Sequence, residues 1–376
     1  MDELQSLREE LASSAEPLTA ARIAEAVRSS GLALGSGTTQ QLVRSLRDEL
    51  VGLGPLQQFV DQEDVTDVMV GAQGRIHTDG VRGLCDTGVS AGGEEQVRGL
   101  ARRLIALSGG RLDEGHPCAD GRIGACRIHA VIPPVAVEGT MISVRVFRGS
   151  SADLAGLAQQ WSAPQEWLPV IRGLVAARMN WLISGATGSG KTSLLAAMLG
   201  ECREDERILV VEDTTEMHPE HPHVLHLQGR QGNVEGTGRV DMGRLVRETL
   251  RMRPDRLIVG ECRGAELRDF LTAMNTGHQG AGGTVHANSP GSVPARLAAM
   301  GALAGLSPET VSLQAAAALD VVLHVERRGG RRMPVAVSSV THRDGGLRME
   351  PVLLSEDGKL RRGPGWESFA ARAGLA

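Results

Sequence analysis

The stretch Gly185-Ala-Thr-Gly-Ser-Gly-Lys-Thr-Ser193 lies between the apolar run Met179-Asn-Trp-Leu-Ile183 and the segment Ser193-Leu-Leu-Ala-Ala-Met-Leu199. It fits the pattern G-x-x-x-x-G-K-[ST] from Gly185 to Thr192 without a gap. Trp181-Leu-Ile183 reads as a buried strand and the segment after the loop as a helix. A loop in that position cradles phosphate, because the free N–H groups and the dipole of a helix N-terminus favour negative charge. Gly188 and Gly190 are required where a Cβ would crowd the phosphates or bar the backbone angles. Lys191 is placed to reach β- and γ-phosphates, and the Thr192 hydroxyl to hold Mg²⁺. Ala186, Thr187, Ser189 and Ser193 complete the candidate phosphate loop. A Gly-rich surface turn would not need strand, loop and helix to agree.

The chain of 376 residues is long enough for two domains or more, at roughly 100–200 residues per domain. A net charge of −5 lacks the basic balance of a nucleic-acid binder. No apolar run reaches the ~18 residues of a membrane span. The start Met1-Asp-Glu-Leu-Gln5 has none of the basic-then-apolar layout of a secretory signal, so the expectation is a cytoplasmic protein. Cys85, Cys118, Cys126, Cys202 and Cys262 form no C-x-x-C pair, which argues against a zinc site or a secreted disulfide framework.

Residues 1–50 are polar with helical spacing. Leu4, Leu7 and Leu11 make one stripe, Ile23 and Val27 another, and Leu42, Val43, Leu46 and Leu50 a third, punctuated by Pro17 and Gly35-Ser-Gly37. Their mixed charges argue against a membrane-surface helix. Residues 51–148 read as an α+β domain with a largely antiparallel sheet. Its strands are 65–70, 74–77, 127–131 and 141–146, with a helix from Glu94 to Leu107. A hinge at 149–160, opening with Gly149-Ser-Ser151, leads into residues 161–376. There apolar strands at 181–184, 207–211, 256–259 and 282–286 alternate with helices. That alternation predicts a doubly wound α/β sheet with its ligand at the carboxyl ends of the strands.

Two of those strands end in acids: Arg207-Ile-Leu-Val-Val-Glu-Asp213, followed by Thr214-Thr-Glu216, and Arg256-Leu-Ile-Val-Gly-Glu261. Acids at strand ends are often solvated loop residues. Beside a phosphate loop they can also polarise an attacking water or hold a metal's water shell. The stretch Thr276-Gly-His-Gln-Gly-Ala-Gly-Gly-Thr-Val-His-Ala-Asn288 then offers His286 as a group able to hydrogen-bond a γ-phosphate. His278 on its own reads as a structural histidine. The pair Gly282-Gly283 lets the backbone pass close to another group.

Four signatures in this order resemble the secretion ATPases of the type II/type IV superfamily. They are GATGSGKT, VVEDTTE, DRLIVGE and GHQGAGGTVHANS. VTDVMV at 65–70, RLDEG at 111–115, HAVIPPVAVEGT at 129–140, NVEGTG at 233–238 and LRMRPDRLIVGECRG at 250–264 are similar to the CpaF/TadA branch, which powers tight-adherence (Flp) pili. The resemblance covers most of residues 51–325. It implies a RecA-like motor domain that hydrolyses ATP with Mg²⁺, preceded by a smaller PAS-like α+β domain, in a homohexameric ring. It implies Glu216 as the water-polarising acid with Glu212 and Asp213 beside it. Glu261 takes the place of the Walker-B acid and metal-site residue with Thr192, and His286 that of a sensor. Arg122, Arg127 and Arg145 match family arginines that reach the γ-phosphate; the bare sequence also allows arginines on a solvated strand face. The turn Asp120-Gly-Arg-Ile-Gly-Ala-Cys-Arg127 is one residue shorter than the family's, and the zinc-binding tetracysteine of type II relatives is missing.

The resemblance further implies a place on the inner face of the cell membrane. There the ring would push on a platform protein to assemble or export pilin-like subunits, with no direct contact to nucleic acid. A conjugation-type transport ATPase and a nucleotide-gated scaffold with little turnover are the alternatives.

Overall fold

The computed structural model describes residues 20–30, 43, 46–47, 52–147, 153–230, 238–356 and 358–375. Leu4, Leu7, Leu11, Leu42, Leu50, Pro17, the Gly35-Ser-Gly37 break, Gly149-Ser-Ser151 and residues 233–237 lie outside them. The chain divides into two compact units, Met1–Arg148 and Gly149–Ala376.

In the first unit, helix α1 (Ala20–Ser29) carries Ile23 and Val27 one turn apart, and both are buried with Leu46. The short helix α2 (Gln57–Val60) leads into β1 (Val65–Val70), β2 (Arg75–Gly80) and β3 (Cys85–Ser90). After α3 (Glu94–Leu107) come β4 (Cys118–Ile123), β5 (Cys126–Val131) and β6 (Met141–Val146). The six strands form one sheet in the order β3-β2-β1-β6-β5-β4, with every neighbouring pair antiparallel. Helix α3 turns Val97, Leu100, Ala101, Leu104 and Ile105 onto one face of it, into a core with Val68, Ile128, Ile142 and Val144. Each such aliphatic side chain contributes roughly 1.5–3 kcal/mol by leaving water. On β6 the alternate residues Met141, Ser143 and Arg145 are exposed.

β1, β6 and α3 run as the sequence predicts, whereas β3 and β4 were not foreseen. Both are edge strands, and their side chains are exposed or half-buried. Without a buried face they carry no apolar alternation to read.

The second unit opens with α4 (Leu154–Ala158), where Asp153 Oδ1 accepts a capping bond from the Gly156 N–H at 2.7 Å. Helix α5 (Pro164–Ala176), β7 (Trp181–Gly185) and α6 (Lys191–Gly200) follow, then β8 (Ile208–Glu212) and β9 (Val224–Gln228). Next come α7 (Met242–Thr249), β10 (Arg256–Cys262), α8 (Glu266–Asn275) and β11 (Gly282–His286). The unit closes with α9 (Val293–Leu303), α10 (Pro308–Ala318), β12 (Val321–Arg328), β13 (Arg331–Arg343), β14 (Gly346–Glu356), β15 (Lys359–Arg362) and α11 (Trp366–Arg372).

These nine strands form a second sheet in the order β15-β14-β13-β12-β7-β11-β10-β8-β9. From β12 to β9 all neighbours are parallel, while β13, β14 and β15 extend the sheet antiparallel. Alternate residues of one strand serve opposite cores. Trp181 and Ile183 join α4, α5, α6 and α11, whereas Leu182 joins α7, α8, α9 and α10. Ile258 against Leu257 and Val259 repeats this in β10. Burial on both faces is why these strands are continuously apolar, and it makes the sheet doubly wound as expected.

Candidate nucleotide-binding site

Strand β7 ends at Gly185 and α6 begins at Lys191, so the intervening loop delivers its backbone to a helix N-terminus. Gly188 and Gly190 take φ of +73° and +94°, angles that a side chain strains. At Gly190 the obstacle to a Cβ within the protein is the stem of Arg332, whose Cδ would lie 3.1 Å away. Gly282 and Gly283 likewise make room for protein. A Cβ would strike the Trp181 ring at the first and the Val259 carbonyl at the second.

The sheet order sets β7, β11, β10 and β8 side by side. Their carboxyl ends therefore line up Gly185, His286, Glu261 and Glu212, with His286 registered directly against Gly185. The Lys191 ammonium is buried and donates to the carbonyls of Gly185 and Ala186 at 3.0 and 2.9 Å, with His286 Nδ1 at 3.3 Å. An amine donor there leaves Nδ1 as acceptor and the proton on Nε2. That Nε2 lies 2.6 Å from Glu261 Oε1, an ion-pair distance without hydrogen-bond alignment. Glu261 Oε2 accepts from Arg263 Nη2 at 2.6 Å.

Burial pushes the Lys191 ammonium below its ordinary pKa, with Glu261 opposing. Burial likewise holds the His286 imidazole low, against the pull of Glu261. For Glu261, burial acts upward, but the hydrogen bond and charge of Arg263, with His286 and Lys191, outweigh it and keep the carboxyl below its usual value.

Glu212 is buried at the end of β8, and its Oε1 accepts the backbone N–H groups of Glu216 and Met217, each at 3.2 Å. It thus pins the loop that carries Glu216. Its Oε2 has no hydrogen bond, with His226 Nδ1 3.7 Å away. Thr192 and Ser193 stand half-buried in the first turn of α6. His278 Nδ1 lies 3.2 Å from the Ala273 carbonyl near the end of α8, a structural position.

In the first unit Arg122, Arg127 and Arg145 form one cross-strand row. Arg122 pairs with Arg127, Arg127 with Arg145, and Arg145 with Asp67. The shortened turn is a two-residue hairpin loop with Gly124 at φ +57°, and it sets Arg122 squarely opposite Arg127. Arg145 Nε donates to Asp67 Oδ1 at 2.9 Å, Arg127 Nη2 to Asp120 Oδ1 at 3.4 Å, and Arg122 Nε to the Gly124 carbonyl at 3.0 Å. Like charges directly opposite each other destabilise a sheet, and Asp67 and Asp120 offset part of that repulsion here.

Sequence reasoning missed two residues here. Arg263 bonds Glu261, and the charges of Asp213 and Glu216 further raise its guanidinium pKa, so it draws three acids together; its signal is an arginine two residues past a strand-end acid. His324 on β12 is buried with Nδ1 2.8 Å from Ser184 Oγ. Only the β12–β7 pairing reveals it.

The residues fit a nucleoside phosphate with Mg²⁺. Ser189 Oγ, Glu212 Oε2 and Glu261 Oε1 are buried atoms without a hydrogen bond, and buried polar atoms normally have partners. Among the described residues no three or more His, Cys, Asp or Glu side chains form a metal cage. Mg²⁺ at a nucleotide is usually held by phosphates, waters and one or two carboxylates.

The chain belongs to the Type II/IV secretion system protein family, whose family model matches residues 49–331. It is 45% identical over 332 residues to a putative conjugal transfer protein of Mycobacterium tuberculosis (strain H37Rv), covering 86% of this chain and 94% of that protein. It is 31% identical over 314 residues to conjugal transfer protein TrbB of Rhizobium radiobacter, covering 81% and 91%. The X-ray structure of the ATPase DotB from Legionella pneumophila matches with a TM-score of 0.54 at 18% identity, over 77% of this chain and 80% of that one. The fold is α/β, a RecA-like domain preceded by a smaller α+β domain.

Proposed function

We propose that this chain is a secretion ATPase that hydrolyses ATP to ADP and phosphate and works as a homohexameric ring. The observation that carries this reading is the line of four neighbouring strand ends, which sets the phosphate loop, His286, Glu261 with Arg263, and Glu212 with Glu216 in sheet order. Lys191 would exchange the loop carbonyls for β- and γ-phosphate oxygens. Thr192 and Glu261 would hold Mg²⁺, which neutralises phosphate charge when bound. Glu216 would polarise the attacking water from a loop clamped by Glu212. His286, bridging Lys191 and Glu261, is placed to respond to the γ-phosphate. The row of Arg122, Arg127 and Arg145 supplies planar cations suited to spread-out phosphate charge. Like charges set opposite each other along the row, beside the ion pairs to Asp67 and Asp120, support a role toward phosphate.

Two cargo readings follow. The segments resembling the CpaF/TadA branch support assembly or export of pilin-like subunits through an inner-membrane platform protein. The names of the relatives in M. tuberculosis and R. radiobacter favour conjugation-type transport. No helix among the described residues is long and apolar enough to cross a membrane, and we place the ring peripherally, on the cytoplasmic face. Phosphate release, run alongside sizing by light scattering with ATP present, tests this. Specific activity should rise with protein concentration as rings form. Full activity in a strictly monomeric species contradicts the ring, and binding without turnover leaves a nucleotide-gated scaffold.

A further inference from the structure

The hairpin between β12 and β13 reads Glu326-Arg-Arg-Gly-Gly-Arg-Arg332. Gly329 and Gly330, at φ +55° and +81°, make its two-residue turn. Pairing sets Arg327 opposite Arg332 and Arg328 opposite Arg331, an arrangement of like charges that works against the hairpin. Arg328 has Glu326 at 2.8 Å. The side chains of Arg327, Arg331 and Arg332 have no hydrogen bond or ion pair among the described residues. Glu326 thus answers Arg328, and the tip keeps a cationic excess on its other three arginines.

One of these arginines lies on the phosphate loop. A Cβ built on Gly190 would meet Arg332 Cδ at 3.1 Å, Cβ at 3.3 Å and Cγ at 3.6 Å. The aliphatic stem thus runs along Gly190, the cap residue immediately before α6. The guanidinium is bonded to Cδ, the stem atom nearest the loop. Val325, two residues before Arg327 and so on the same strand face, packs against Gly185, where a Cβ would lie 3.0 Å from Val325 Cγ2. Arg331 and Arg328 occupy the alternate face.

We propose that Arg332 is a nucleotide-contacting residue, binding the phosphates of a nucleoside di- or triphosphate from the hairpin side while Lys191 binds them from within the loop. This rests on the phosphate-loop reading above. The planar fork of arginine suits phosphate oxygens in a bidentate grip. An anion held there also relieves the opposition of Arg332 and Arg327.

The test is titration of the full chain with ADP and with ATP in the presence of Mg²⁺, by calorimetry. Arg332→Met keeps the apolar stem on Gly190 and removes the charge, so packing loss is separated from contact loss. It should weaken both nucleotides by about tenfold, the size of a charge-assisted hydrogen bond, and raise KM for ATP by a larger factor than it lowers kcat. Arg332→Lys should recover part of the loss. Arg331→Ala removes a charge from the same tip on the other face and should leave affinity unchanged. Parent-like affinity in Arg332→Met, or an equal loss in Arg331→Ala, overturns the proposal. A parent chain that binds neither nucleotide overturns the phosphate-loop reading, and this proposal with it.

Discussion

The parallel sheet of the second unit carries a buried charge cluster at each end, and the two are built differently. At the amino edge Arg256 grips Glu206 with bonds of 2.8 and 3.1 Å, donates to the Val175 carbonyl at 2.9 Å and lies over the Trp181 ring. Arg178 adds an ion pair to Glu206 at 3.1 Å and donates to the Asp255 carbonyl at 2.6 Å. Both carboxylate oxygens of Glu206 are paired in this group, and the buried atoms left without a partner are two donors, Arg256 Nη1 and Trp181 Nε1. At the carboxyl edge Lys191, His286, Glu261 and Arg263 are also packed together, yet Glu261 Oε1, beside His286, Glu212 Oε2 and the Ser189 hydroxyl make no hydrogen bond. A closed network holds strands and helices in register. An open one holds chemistry for a ligand.

Breaking the closed cluster should have the largest effect on the fold. Arg256→Met leaves buried Glu206 with the half-exposed Arg178 as its remaining cation, a loss of up to about 3–5 kcal/mol, read by urea denaturation. The double variant Arg256→Met with Glu206→Leu should regain most of it, because an apolar pair needs no partner. If the single variant matches the parent, the amino-edge cluster is not holding the sheet.

Substitutions at the open end should leave the fold in place and stop the chemistry. Glu216→Gln and Glu261→Gln each preserve shape and remove an acid, so ATP should stay bound while phosphate release falls by roughly 10²-fold or more. Parent-rate turnover in both variants places the chemistry elsewhere. Arg127→Ala or Arg145→Ala, in the first unit, should lower kcat by a larger factor than ATP affinity, the pattern of a contact strongest in the transition state. An equal loss of affinity would instead mark simple ground-state binding.

A smaller effect separates the two ends by pH. Burial holds the His324 imidazole below the usual histidine value, with Glu326 opposing and Arg328 and Lys191 adding to the depression. A histidine with a depressed folded pKa binds its proton first in the unfolded chain. Its contribution to stability is therefore present above roughly pH 6.5 and is lost as pH falls toward the folded pKa. Unfolding free energy of the parent should drop across that window, and His324→Gln should flatten the drop. An unchanged slope in His324→Gln assigns it to other groups.

How much of this could be read in the chain depends on what each residue does. The phosphate loop was legible because phosphate dictates residue types at fixed spacing, and β7, β8, β10 and β11 because burial on both faces makes them continuously apolar. The exposed edge strands β3 and β4 gave no such pattern. The long hairpin of β13 and β14 turns at Asp344-Gly345, with φ of +52° and +73°, a residue pair that marks a turn but not the length of the strands beside it. Arg263, His324 and Arg332 depend on which strand lies beside which. His324 meets Ser184 only because β12 pairs with β7, 140 residues away in sequence. The three arginines of the first unit stood out as residue types, but their shared row rests on the two-residue turn after Ile123.

We propose that the carboxyl-edge cluster serves a nucleotide and not the fold. Lys191→Ala, measured for ATP binding by calorimetry and for unfolding midpoint on the same preparation, addresses both halves at once. The expected result is loss of ATP binding and turnover with the unfolding midpoint within a few degrees of the parent, since burial of the Lys191 ammonium works against its charge and offsets its bonds to the loop carbonyls, leaving a net change of about 1 kcal/mol. Tight ATP binding retained in Lys191→Ala, or a collapse in stability like that expected for Arg256→Met, would contradict it.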